Sequence, residues 1–210
     1  MPKTRRGGRG GGGGGAPPPN VLSTTSLISE RERKREEVDY TLTVLRDVER
    51  EYNVILEDVQ LAKIKDGRGG STMAYYDSGG NLAVNEKYFD TATMDSAYDG
   101  CVASGFHPSR GNKTGMEAVV AHEMGHRLSD IAARNAGMGN WALDDVSNNI
   151  IKAAAKSLGM SHGNLRSSIS GYAQYNNAEC VAEAFSDVYC NGNRAKRASR
   201  AVVAELKKYF

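Results

Sequence analysis

At 210 residues, with 40% hydrophobic and 25% charged positions and a formal net charge of +2, the chain is sized for one domain with a sizeable core. Four of the 27 basic residues, Lys3, Arg5, Arg6 and Arg9, lie in the first twenty positions, which hold no acid, so the remainder carries a formal −2 and is no nucleic-acid binder by charge. No apolar run reaches the roughly 20 residues of a membrane span, and the basic N-terminus lacks the apolar stretch of a secretory signal, so a cytoplasmic protein with no membrane contact is expected.

Residues 1–26 run through Arg5-Arg6-Gly7-Gly8-Arg9, a glycine run and Pro17-Pro18-Pro19. Such a segment buries too little apolar surface to offset its ordering entropy and is expected to be disordered. Four basic charges give little affinity at physiological salt, so it binds nucleic acid weakly if at all and reads first as a linker. Residues 27–210 form the expected domain. A helix is expected over 29–52, with Ser29-Glu30-Arg31-Glu32 as a capping box and Val38, Leu42, Leu45, Val48 and Tyr52 as its core stripe. Residues 54–64 read as a strand, from the partial alternation at Val59, Leu61 and Lys63, and Asp66-Gly67-Arg68-Gly69-Gly70 breaks it. Met73–Asp77 and Leu82–Asn85 flank Ser78-Gly79-Gly80-Asn81 and predict a hairpin. Residues 86–113 are polar with few signals. Gly105-Phe106-His107-Pro108 reads as loop, and His107, a candidate ligand, is in such a place more often simply exposed.

Thr114-Gly115-Met116-Glu117 is another capping box, and it opens Val119-Val120-Ala121-His122-Glu123-Met124-Gly125-His126-Arg127. His122 and His126, four apart, project from one helix face and can grip one zinc ion, and Glu123 can hold a water against that metal. A buried structural helix with two satisfied histidines is the plain alternative. This helix ends near Asn135. Residues 143–158 form the next, with Val146, Ile150, Ile151, Ala154 and Leu158 inward and Gly159 as its stop. Residues 160–176, with His162 and Tyr172, read as loop. Residues 177–190 form a helix ended by Asn191-Gly192-Asn193, and 195–209 a basic helix resting on Val202, Val203, Leu206 and Phe210. Cys101, Cys180 and Cys190 cannot all pair, and the last two lie ten apart on one helix, so free thiols in a reducing compartment are expected.

A catalytic zinc takes three protein ligands and keeps an open position. The third candidates are Asp130, His162, Glu179 and Glu183. The metzincin pattern needs Gly and then His or Asp where Ser129 and Ala132 stand, and is excluded. Glu179, Glu183 and Asp187 share a helix face that would otherwise be a solvated acidic stripe, but Ala178, Val181, Ala182, Ala184 and Phe185 argue that this helix packs closely.

His122-Glu123-Met124-Gly125-His126, followed by Ser170-Gly171-Tyr172-Ala173 and by the run Asn177-Ala178-Glu179-Cys180-Val181-Ala182-Glu183-Ala184-Phe185, resembles the zinc-metallopeptidase domain of the anthrax lethal factor type, a gluzincin. Similar zincin-like domains occur in phage and mobile-element proteins. The resemblance spans roughly residues 72–188. It implies an α+β, zincin-like fold: a small mixed sheet with an edge hairpin packed on the H-E-x-x-H helix, then a helical subdomain. It implies Zn2+ on His122, His126 and Glu179, support from Glu183, Glu123 as general base and Tyr172 at the oxyanion. A peptide or protein substrate would lie extended along the hairpin at 73–85. The linker between the two motifs carries its own helix and there are no delivery or recognition domains, so substrate identity does not transfer. Two function classes follow: a zinc-dependent endopeptidase, and a non-catalytic zincin-like module of structural or phage-head-associated kind. The intact Glu123 favours the first, because a degenerate domain has no need of the base.

Overall fold

The computed structural model describes residues 21–22, 34–55, 59–62, 64, 72–77, 81–139 and 143–210. Most of the expected tail, the capping box at 29–32, the break at 66–70 and the Gly-Gly turn at 78–80 lie outside the described residues. The elements are β1 (Val21–Leu22), α1 (Arg35–Tyr52), β2 (Val59–Ala62), β3 (Ala74–Tyr76), β4 (Leu82–Asn85), α2 (Thr91–Ala103), α3 (Gly115–Asn135), α4 (Leu143–Leu158), α5 (His162–Ile169), α6 (Asn177–Asn191) and α7 (Arg197–Leu206). The class is mixed α+β. The sheet runs β1-β2-β4-β3, with β2 and β4 parallel and the other two pairs antiparallel, so the small mixed sheet is present with β3 on its edge. The predicted hairpin is the β3–β4 pair, in register at Tyr75↔Ala83.

Three expectations need correction. Val21 and Leu22 were expected in a disordered tail, yet this first apolar pair after the prolines extends beside β2 and adds a strand to the sheet. The polar stretch at 86–113 contains α2. Its signal is small: Asp90 caps it by accepting from Thr93 N, and its buried residues are Met94 and Tyr98, four apart. The loop expected at 160–176 contains α5, capped by Ser161 accepting from Asn164 N and buried through Leu165 and Ile169, again four apart. A single pair of apolar residues is enough for a short helix laid on an existing core, but too little to stand out as periodicity.

The other helices follow their patterns. α1 buries Val38, Leu45, Val48 and Tyr52 and adds Thr41 and Val44, while Leu42 is half-buried. α4 buries Val146, Ile150, Ile151 and Ala154, and Gly159 stops it at a positive φ of 65°. α7 is shorter than expected, and Phe210, 41% exposed, packs edge-on against Tyr52 at the rim of the core. Cys101, Cys180 and Cys190 are free, and burial pushes the thiols of Cys180 and Cys190 up to about 12. Among the described residues no helix is long and apolar enough to cross a membrane.

The centre of the molecule is α3, buried along most of its length. The predicted capping box opens it: Thr114 accepts from Glu117 N, and the Glu117 side chain accepts from Thr114 N. α6 crosses α3 at Gly125. A Cβ on Gly125 would stand 2.6 Å from the Ala182 Cα, so the two backbones meet there with nothing between them. Glycine inside a helix costs roughly 1 kcal/mol relative to alanine. Here it allows the close approach that brings the α6 carboxylates to the α3 histidines.

Candidate metal centre

Three atoms converge above this crossing. His122 Nε2 lies 3.1 Å from Glu179 Oε2, and His126 Nε2 lies 3.3 Å from the same oxygen. His122, His126 and Glu179 present ligand atoms all within 4.8 Å of one another, a group able to hold a metal ion. The helix spacing aligns the histidines, and α6 supplies the carboxylate one turn from its capped start at Asn176. The donor set passes a simple fit test. Bonds of about 2.0–2.2 Å in a tetrahedral shell separate neighbouring ligand atoms by roughly 3.3–3.6 Å; the two histidine–carboxylate pairs, at 3.1 and 3.3 Å, lie close to that spacing, and the whole group lies within 4.8 Å.

The electrostatics favour positive charge at this point. Burial opposes a charged His122, but hydrogen bonds and charge from Glu179 and Glu183 overcome it and raise its pKa well above the usual value. Burial likewise opposes the Glu179 carboxylate, and the two histidines lower its pKa. With the His122 Nδ1–H engaged elsewhere, a neutral ring would turn its Nε2 lone pair toward a carboxylate oxygen. A proton or a metal ion between them removes that repulsion.

Glu183 lies behind His122. Its side chain is 1% exposed, and three groups donate to it: His122 Nδ1 at 2.8 Å and His107 Nδ1 at 2.9 Å, both to Oε1, and Ser170 Oγ at 2.7 Å, to Oε2. Burial disfavours its charge, but the bonds from His107 and His122 hold the carboxyl down to about 2. It is therefore an acceptor only, and it fixes His122 with Nδ1 protonated and Nε2 directed at Glu179. A carboxylate–imidazole pair of this kind orients a ligand histidine and raises its basicity.

Glu123 is buried beside the histidines, and burial raises its pKa against the pull of His122 and His126 and a hydrogen bond from the backbone N–H of Tyr76. That strand is fastened to α3 by its side chain as well: Tyr76 Oη donates to Asp130 and accepts from Arg127. Tyr172, expected in loop, sits on a short 3-10 turn (Tyr172–Gln174) with its ring stacked on His122 at 5.7 Å. Burial, together with the charges of Glu179 and Glu123, pushes its phenol up, so it keeps its proton and can donate. Two cavities flank the histidines. One of about 260 Å³ is lined by Met73, Ala74, Phe106, Val119, Glu123 and Tyr172. The other, of about 290 Å³, is lined by Tyr76, Asp77, His126, Asp144, Asn176 and Glu179.

All six site residues read from the sequence, His122, Glu123, His126, Tyr172, Glu179 and Glu183, meet in this one place. Of the rival third ligands, Asp130 is taken up by Tyr76 and Arg134, His162 is exposed at the start of α5, and Glu183 is at the site but bonds His122 through Nδ1, on the side away from Glu179. His107 departs from its expected exposed loop position: its side chain is 13% exposed and lies on Glu183, stacked on Tyr98 at 5.2 Å. The sequence signal for it was faint, a histidine just ahead of the capped start of α3. No family model matches the chain, and no curated protein or solved structure matches it either.

Proposed function

We propose that the protein is a zincin-like, zinc-dependent endopeptidase of the gluzincin kind, with zinc held by His122, His126 and Glu179. The observation that carries this reading is the placement of a buried Glu123 beside the three-ligand group, with a cavity on either side. Zinc, when bound, supplies Lewis acidity toward a carbonyl and makes water acidic enough to ionise near neutral pH.

The chain's own residues do the rest. Glu123 takes the proton of the attacking water and returns it to the leaving amine. The Tyr172 hydroxyl donates to the oxyanion that develops on the scissile carbonyl. The edge strand β3, whose Tyr76 N–H is given to Glu123, offers its remaining backbone groups to an extended peptide by strand addition. Peptides and proteins are thus the substrate class. The free thiols fit a reducing compartment such as the cytoplasm.

The test is chelator-sensitive hydrolysis of a casein-type substrate, with cleaved peptides read by mass spectrometry, for the unaltered protein and Glu123→Gln. The variant is expected to keep stoichiometric zinc and lose turnover. Zinc binding without hydrolysis by the unaltered protein would instead identify a non-catalytic module on the same fold.

A further inference from the structure

Three donors on one buried carboxylate is more than the metal site itself requires. We infer that His107 is a positioning residue, which through Glu183 and through its own backbone segment ties the metal ligand His122 to the oxyanion donor Tyr172. This rests on the metal site proposed above.

Two independent sets of contacts carry the inference. The first is the side chain. His107 Nδ1 and His122 Nδ1 both donate to Glu183 Oε1, at 2.9 and 2.8 Å. A carboxylate 1% exposed has no water to replace a missing donor. Without His107, Oε1 has one partner fewer and the carboxyl plane is fixed by His122 and Ser170 alone. The His107 ring is clamped to make the contact: it lies parallel to Tyr98, at an interplanar angle of 2°, and meets Tyr172 edge-on at 5.6 Å. The Tyr98 hydroxyl donates to Pro108 O, which fixes the loop on its other side.

The second is the backbone. Gly171 N donates to Gly105 O at 2.8 Å and Tyr172 N donates to Phe106 O at 2.9 Å, so the 105–107 segment is stitched to the turn that carries Tyr172. A Cβ on Gly171 would lie 3.1 Å from Gly105 O, so any side chain there would push the two segments apart by a few tenths of an ångström. The Phe106 ring stacks on Tyr172 at 4.9 Å. One short segment therefore bonds the carboxylate behind the metal ligands with its imidazole and holds the phenol in front of them with its carbonyls. A displacement of a few tenths of an ångström in either group costs metal affinity or transition-state contact.

The experiment separates the hydrogen bond from the packing. His107→Phe keeps a flat ring against Tyr98 and removes the donor. His107→Asn removes the ring and places an amide N–H close to where Nδ1 sits. His107→Gln, of similar bulk, moves the amide away from that place and stands in for His107→Phe should the latter fold poorly. Zinc affinity is measured by competition with a chelator, alongside kcat, KM and Tm. The expected result is a loss of zinc affinity of up to about ten-fold in His107→Phe and His107→Gln, smaller than that of removing the Glu183 carboxylate itself. At saturating zinc, kcat should fall with KM little changed, and His107→Asn should recover most of both losses. Wild-type zinc affinity and kcat in His107→Phe overturn the inference, as do equal losses in all three variants that track Tm. An unaltered protein that binds no zinc overturns the metal centre and this inference with it, whereas tight zinc binding indifferent to His107→Phe overturns this inference alone.

Discussion

On the helical side of the cleft the side chains of His122, Glu179 and Glu183 are 10%, 15% and 1% exposed, and they bond one another across α3 and α6. On the strand side β3 is three residues long, pairs with β4 along one edge, and is fastened to α3 through Tyr76. The helical wall is a set of fixed donors placed by a close crossing. The strand wall offers its backbone and a few side chains on either side. Under the proposed function the contrast would be a division of work: holding a metal and a proton acceptor needs groups fixed to within about 0.5 Å, whereas receiving a polypeptide needs an accessible edge that fits many sequences.

Substitutions in the two walls should therefore differ in kind. The largest effect is expected for Glu179→Ala, which removes the carboxylate to which both histidines turn and the proposed third ligand: stoichiometric zinc should be lost. Glu183→Ala should weaken zinc by roughly ten- to hundred-fold, since it orients a ligand without being one. Metal analysis after dialysis checks both, and the comparison breaks should Glu183→Ala lose more zinc than Glu179→Ala.

Next comes Tyr172→Phe. The loss of one oxyanion donor is expected to lower kcat by about 10²–10³ and to leave zinc affinity within a small factor of the unaltered protein. Equal losses in turnover and in zinc affinity would move Tyr172 from the chemistry to the support of the metal. Gly125→Ala tests the helix crossing. The added methyl meets backbone at 2.6 Å, where side-chain rearrangement gives no relief. Overpacking near the top of the usual range of about 1–3 kcal/mol should outweigh the roughly 1 kcal/mol gained in helix propensity. Tm should fall by several degrees and zinc affinity with it, because α6 carries Glu179. A variant more stable than the parent would show that the crossing is looser than described.

The smallest effect belongs to the strand wall. Tyr76→Phe removes a hydroxyl that bridges Arg127 and Asp130, at a cost of about 1 kcal/mol. Zinc affinity should not change, and KM should rise more than kcat falls. A loss of zinc in this variant would mean that the two walls are not separable.

The readable part of this molecule was the part written in short-range pattern. The capping box at Thr114 and Glu117, the four-residue spacing of His122 and His126, and the one-turn spacing of Glu179 and Glu183 each follow from helix geometry, and each is where that geometry puts it. α2 and α5 were missed because each rests on two apolar residues, and a long existing core surface does the rest. His107 was misplaced because its meaning lies in a contact with Glu183, 76 positions away, which no local spacing announces. Gly125 was read only as one of the variable positions inside H-E-x-x-H, although its lack of a side chain sets how near Glu179 can come.

The most direct measurement is a crystal structure of the purified protein with anomalous scattering recorded on both sides of the zinc absorption edge. The account predicts one strong zinc peak about 2.0–2.2 Å from His122 Nε2, His126 Nε2 and a Glu179 carboxylate oxygen, with Glu183 outside bonding distance. A peak ligated by Glu183, Asp130 or His162 in place of Glu179, or no peak between the two histidines in protein that retains stoichiometric zinc, would contradict it.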